Sequence, residues 1–218
     1  MIRKNILKGC MALLAMTLLF AQGAMADEKG NKAEGTKAKS KSVLIVGLND
    51  NVKSNYFYNK MIAEETGISA DSVSAIYNRV IAQNIVEAAQ KKHLPMTTLT
   101  ACGGAGDVVD DIRLVGENED RHSDLSLVPE TEWRETLDKA GAEYVLVLNQ
   151  HYLKWNEEQL RTLFHIVCYS VYDADKNEVY RGNTYFSSMY LITPQEMAKS
   201  CKKSTAKIVS NMLKHIEL

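Results

Sequence analysis

Val43-Leu44-Ile45-Val46-Gly47-Leu48 is an unbroken apolar run, closed by the polar turn Asn49-Asp50-Asn51. A strand with one face in water alternates apolar and polar residues. A continuous apolar run bounded by turn signals reads instead as a strand buried on both faces. Its neighbours must therefore cover it from two sides.

The rest of the chain supplies those neighbours. Tyr56 to Glu65 reads as a short helix stopped by Gly67. Ser69 sits where an N-cap belongs, with Asp71 in the first turn. Val73, Ile76, Tyr77, Val80, Ile81, Asn84, Ile85 and Ala88 then recur at helical spacing as far as Lys92. Pro95 forbids continuation, and Met96 to Ala101 reads as a second strand. Gly103 to Val128 mixes glycines with Asp107, Asp110, Asp111, Glu117, Glu119, Asp120 and Asp124, and reads as a long, mobile acidic excursion. Glu130 to Ala140 is a helix with Trp133 and Leu137 on one face and Gly141 as its C′ residue. Tyr144 to Leu148 is a strand that can run on to Leu153. Leu163 to Tyr172 and Val179 to Tyr190 form a hairpin around the turn cluster Asp173 to Asn177. Thr193-Pro194-Gln195-Glu196 is a capping box that opens a terminal helix marked by Met197, Cys201, Ile208, Met212 and Ile216. The order predicts the α/β class, with a single mixed sheet of about five strands and helices packed on it. Its N-terminal part is parallel and its C-terminal part an antiparallel meander.

Ahead of this domain, Arg3, Lys4 and Lys8 precede the apolar run Met11 to Phe20 and the small-residue end Ala24-Met25-Ala26. That order is a secretory signal peptide over residues 1–26. The run is shorter than the ~20 residues a membrane span needs, so no transmembrane helix is expected after cleavage. Residues 27–42 contain no Val, Ile, Leu or aromatic side chain and read as a disordered polar linker to a domain over 43–218. The expected location is periplasmic or extracellular. Losing Arg3, Lys4 and Lys8 leaves 23 basic against 27 acidic residues, a charge of about −4, which argues against nucleic acid as a partner. Cys10 leaves with the signal. Cys102, Cys168 and Cys201 remain, with no metal-ligand spacing, and read as buried thiols or as one disulfide plus a free thiol.

The segments Val43-Leu44-Ile45-Val46, Gly141-Ala142-Glu143-Tyr144-Val145-Leu146 and the Asp173 to Val179 turn, in this order of elements, resemble the periplasmic α/β domains of the TolB amino-terminal and CsgG-like kind. The resemblance implies an envelope-assembly or interaction role without catalytic residues, and it offers no site to carry over.

Candidate chemistry is sparse. Gly103-Gly104-Ala105-Gly106 follows a strand, as phosphate loops do, but no Gly-Lys-Ser/Thr follows it. The acidic excursion lacks the EF-hand spacing, and a solvated loop is the better reading. His93, His122, His151, His165 and His215 show no HExxH. With Glu157 at a hairpin apex, His165 faces Asn149, His151 faces Leu163, and both read as satisfied core or edge histidines. No metal or cofactor is expected. A GxSxG elbow is absent, while Cys102 before two glycines is a conceivable nucleophile. The functional expectation is therefore an exported, non-enzymatic binding or assembly protein. Its partner would be a protein or another envelope component. The alternative is a small secreted hydrolase or thiol enzyme using Cys102 or the 107–124 acids. Ligand sites in open α/β sheets lie beyond the carboxyl ends of parallel strands. That rule selects Asn49, Asp50, Asn51, Gly103, Gly104 and His151, and Trp155 joins them as an aromatic anchor at a hairpin end. Sequencing the N-terminus of the protein from its native cell should return a chain starting near Asp27, and an intact Met1 on a cytoplasmic form would refute export.

Overall fold

The computed structural model describes residues 42–99, 106–158 and 161–216. The expected signal peptide and the expected linker as far as residue 41, and Cys102, Gly103 and Gly104, lie outside the described residues. In chain order the elements are β1 (Val43–Gly47), β2 (Val52–Ser54), α1 (Asn59–Thr66), α2 (Val73–Gln90), β3 (Met96–Leu99), α3 (Gly106–Asp110), β4 (Arg113–Val115), β5 (His122–Asp124), α4 (Glu130–Ala140), β6 (Tyr144–Asn156), β7 (Thr162–Asp173), β8 (Glu178–Ser188), α5 (Pro194–Ser200) and α6 (Lys202–Met212).

The main sheet has six strands in the order β3-β1-β6-β7-β8, with β2 also on β6. β1 pairs in parallel with β3 and with β6, whereas β6, β7 and β8 form the antiparallel meander. The strand beyond the expected five is β2, three residues that pair in parallel with His151 to Leu153 after the Asn49–Asn51 turn. At that length it carries no periodicity to read.

Both faces of β1 are covered, as its composition requires. Val43 and Ile45 pack with Ile62 of α1, Tyr77, Ile81 and Ile85 of α2, and Ile208 and Met212 of α6. Leu44, Val46 and Leu48 pack with Trp133 and Leu137 of α4. Trp133 also donates its indole N–H to Asp173 O at 3.2 Å and meets Tyr172 edge-on.

Several boundaries differ from expectation. The first helix begins at Asn59 rather than Tyr56, leaving Tyr56 to Tyr58 outside it. Ser69 stands at the N-cap position of a 3₁₀ turn, Ala70–Ser72, without a side-chain bond to its backbone, and α2 begins only at Val73. The terminal helix is two helices meeting at Cys201, the first opened by the expected capping box. The β6–β7 register is the main correction. Asn156 pairs with Thr162, so the hairpin tip lies beyond Glu157. His165 stands opposite Leu153 rather than Asn149, and His151 opposite Val167 rather than Leu163.

The acidic excursion is also corrected, for residues 106–128 build a lobe on the second sheet face. Val108, Ile112, Leu125 and Val128 are buried there. Backbone carbonyls of a 3₁₀ turn, Asn118–Asp120, accept from sheet side chains: Gln150 Nε2 to Asn118 O at 2.7 Å, and Asn183 Nδ2 to Glu119 O at 3.0 Å. Acidic side chains disguise this lobe in the sequence, because its attachment runs mainly through backbone carbonyls and buried apolar residues, with the Glu119–Lys154 ion pair at 2.7 Å beside them.

Cys168 and Cys201 are both free and buried, and burial pushes each thiol up to about 12. Neither should react with iodoacetamide at pH 8 until the protein unfolds. Trp133→Ala should cost about 3–5 kcal/mol in denaturant titration, the range for emptying a buried aromatic site.

Candidate functional site

β2, β6 and β8 all end at the same edge of the sheet, where β7 begins. Asn55 extends the β2–β6 pairing with its side chain. Its Nδ2 donates to Trp155 O at 2.9 Å, and its Oδ1 accepts from Trp155 N at 2.7 Å. Ser54 Oγ donates to Leu153 O and accepts from the amides of Tyr56 and Phe57. These bonds hold Tyr56 and Phe57 against Trp155, with ring centroids 5.0–6.1 Å apart. Two strands away, Met189 and Tyr190 leave the end of β8, and Tyr185 leans on Phe164 across the second face.

Seven large apolar side chains are exposed among the described residues. Four of them, Tyr56, Tyr58, Met189 and Tyr190, flank this end of the sheet and are 57–74 % exposed, whereas Tyr185 stands on the second face. Single exposed hydrophobics are ordinary, whereas a cluster marks an interaction surface. Tyrosines suit such a place, offering apolar area with a polar tip.

Beneath the rim lies a polar chain in the core. His151 Nε2 is 3.2 Å from His165 Nδ1, and His165 Nε2 is 3.0 Å from Ser188 Oγ. The corrected register makes the two histidines diagonal neighbours on one face. Ser188 donates its one proton to Tyr190 O at 2.6 Å. It must therefore accept from His165 Nε2–H. His165 Nδ1 is then bare and accepts from His151 Nε2–H, which leaves His151 Nδ1 bare. That atom is buried and without a hydrogen bond, as is Tyr77 Oη nearby. Tyr77 meets His151 edge-on at 4.8 Å, and Phe186 stacks on His165 at 4.4 Å. Burial holds His151 well below the usual histidine range, with the His165 charge adding to it, and burial brings His165 down to about 3. Both rings are neutral at pH 7. His165 is thus a poor base for Ser188, whose proton already points elsewhere.

The residues selected by sequence divide between surface and core. Asn49 and Asp50 are exposed, Asn49 donating to Asp110 Oδ1 at 3.1 Å and Asp50 paired with Lys53. Asn51 is fully buried. Its amide exchanges hydrogen bonds with the Asn78 amide at 2.9 and 3.2 Å and donates to Leu148 O. Asn78 lies so close to Gly47 that a Cβ there would fall 2.6 Å from Asn78 Cγ. His151 is buried in the chain above, and Trp155 is part of the rim. Sequence reasoning missed Tyr56, Tyr58, Met189 and Tyr190. It placed the first two at a helix start and the others inside a strand. The available signal was aromatic residues immediately flanking strand ends. Among the described residues no group of three or more His, Cys, Asp or Glu side chains is arranged to hold a metal ion. No described helix is long and apolar enough to cross a membrane.

No protein-family model and no curated protein matches the sequence. Among solved structures, the PelC dodecamer of Paraburkholderia phytofirmans is similar at 9% identity, covering 78% of this chain and 87% of that one, with a TM-score of 0.39. The hypothetical protein CT253 of Chlamydia trachomatis is 9% identical over 80% of this chain and 97% of that one, with a TM-score of 0.45. The lipoprotein GNA1162 of Neisseria meningitidis is 6% identical over 80% and 99%, with a TM-score of 0.35. Nothing about function follows from likenesses at this level.

In the unfolded chain both core histidines titrate near 6.5, far above their folded values. The unfolded state therefore takes up protons first as the pH falls. The pair's contribution to stability is complete above about pH 6.5 and is lost from there towards pH 3. Melting temperatures between pH 7.5 and 4.5 should fall less steeply for a His151→Gln/His165→Gln variant than for the parent, even if its melt at pH 7.5 is lower.

Proposed function

We propose that this chain is an exported, non-enzymatic component of the cell envelope that works by docking. The aromatic rim would bind a protein or another envelope component. One observation carries the reading: four of the seven exposed large apolar side chains among the described residues lie at the end of the sheet where β2 and β8 finish. The export signal in residues 1–26 supports the location. The TolB amino-terminal and CsgG-like resemblance of Val43–Val46, Gly141–Leu146 and Asp173–Val179 supports an assembly or interaction role. Of the 107–124 acids that the hydrolase alternative would use, Glu119 is paired with Lys154 and Asp124 is bonded to Ser126.

Photo-crosslinking side chains at Tyr58 and Tyr190, with Lys139 as the control on α4, would test the reading in the native envelope. The rim positions should capture one species that the control does not. Tyr56→Ser, Tyr58→Ser and Tyr190→Ser combined should weaken that capture by at least tenfold with an unchanged melting temperature, on the scale of losing interface anchors. Equal capture from Lys139, or capture indifferent to the three substitutions, would overturn the rim as the docking site.

A further inference from the structure

Met189 and Tyr190 are two of the most exposed members of the rim. They occupy a corner between two fixed points. Upstream, Ser188 pairs with Leu163 at the end of β8. Downstream, Leu191 and Ile192 are buried, and Thr193 closes the capping box of α5. Among the described residues, the one hydrogen bond that reaches Met189 or Tyr190 is that from Ser188 Oγ–H to Tyr190 O. Tyr190 O can only accept, so Ser188 points its proton there, and the same hydroxyl oxygen accepts from His165 Nε2–H, whose other nitrogen accepts from His151 Nε2–H; one hydrogen-bonded chain thus ties the corner to the two core histidines.

We infer that this chain is an acid-sensitive latch on the docking rim: His151, His165 and Ser188 hold the Met189–Tyr190 corner closed, and protonation of the histidines releases it. The inference rests on the docking reading for its consequence, whereas the latch itself stands on the geometry. A proton arriving at the closed chain has two places to bind. At His165 Nδ1 it would confront the His151 Nε2–H directly. At His151 Nδ1 it would lie buried with no acceptor facing it. The packed surroundings offer no compensation. α2 presents Tyr77 and β8 presents Phe186, while Leu153 of β6 stands opposite His165 and Val52 of β2 opposite His151. Besides the two rings, Tyr77 is the titratable side chain in contact, and no carboxylate, lysine or arginine acts on either ring. A buried unpaired charge of this kind is relieved by exposure to water. The shortest way out is at Ser188, the member of the chain nearest solvent. The end of β8 and its corner therefore open first, while β1 and the first half of β6 stay closed.

Linkage gives the size of the effect. Each histidine exposed on opening multiplies the opening equilibrium about tenfold per pH unit below pH 6.5. Amide exchange on the mature protein, corrected for intrinsic rates, reads this directly. Protection over residues 186–192 should fall at least tenfold per unit between pH 6.5 and 4.5, and stay below that of residues 144–148 throughout. Ser188→Ala should leave the corner weakly protected at pH 7.5 and nearly independent of pH, and Ser188→Thr should restore the parent profile. His151→Gln keeps an N–H donor for His165 without titrating, and should halve the logarithmic slope. Corner protection that is equal at pH 7.5 and 4.5, or a full pH dependence retained in Ser188→Ala, would overturn the latch. Crosslinking capture at the rim should be at least tenfold weaker at pH 5 than at pH 7.5. Absent capture at both pH values refutes the docking reading without touching the exchange result. A flat exchange profile with intact capture refutes the latch alone.

Discussion

β6 is the strand on which the molecule depends. Every position from Val145 to Leu153 is buried. β1 runs beside its first part, β2 beside its middle, and β7 along its whole length. Two short parallel strands can share one side of a long one only if the chain between them turns out and back without breaking the sheet's hydrogen bonding. The paired amides of Asn51 and Asn78 do this, bonding the carbonyls of Leu48 and Leu148 that the detour would leave unsatisfied. From β6 the second-face lobe hangs by Gln150 and Lys154, and the rim is anchored at Trp155.

The layered fold was legible because its signals are local and strong. The apolar run at Val43 to Leu48, the spacing of α2, the left-handed Gly67 and Gly141 at helix ends, and the capping box at Thr193 each name one element. Non-local features were less readable. The β6–β7 register depends on the width of a polar hairpin tip, and an error of four positions keeps every side chain on its expected face, so the periodicity cannot detect it. The acidic lobe was read by charge, although charged side chains pointing outward say little about the backbone carbonyls that attach it.

The candidate site was legible in one residue, Trp155. Asn51 and His151 have the polarity of site residues, yet that polarity is spent inside the fold. The rim tyrosines were absorbed into neighbouring elements because an aromatic next to a strand looks the same in sequence whether it closes the core or faces water. Only the packing of Phe57 and Trp155 beneath Tyr56 distinguishes the two.

The irregularity in pairing between Leu148 and Gln150 gives Asn149 no partner on β7. Before it, Val145 and Val147 face α4 while Leu146 and Leu148 face α2. After it the parity is inverted, for Leu153 and Trp155 join the α2 side and Tyr152 the other. Asn149 therefore acts as a frameshift within the strand. Were the strand straightened so that Asn149 took an ordinary place in the alternation, inside and outside would be exchanged along the rest of β6, turning Lys154 towards the helices and Trp155 towards the lobe. The rim and the histidine pair owe their position to a single uncounted residue in the middle of the sheet.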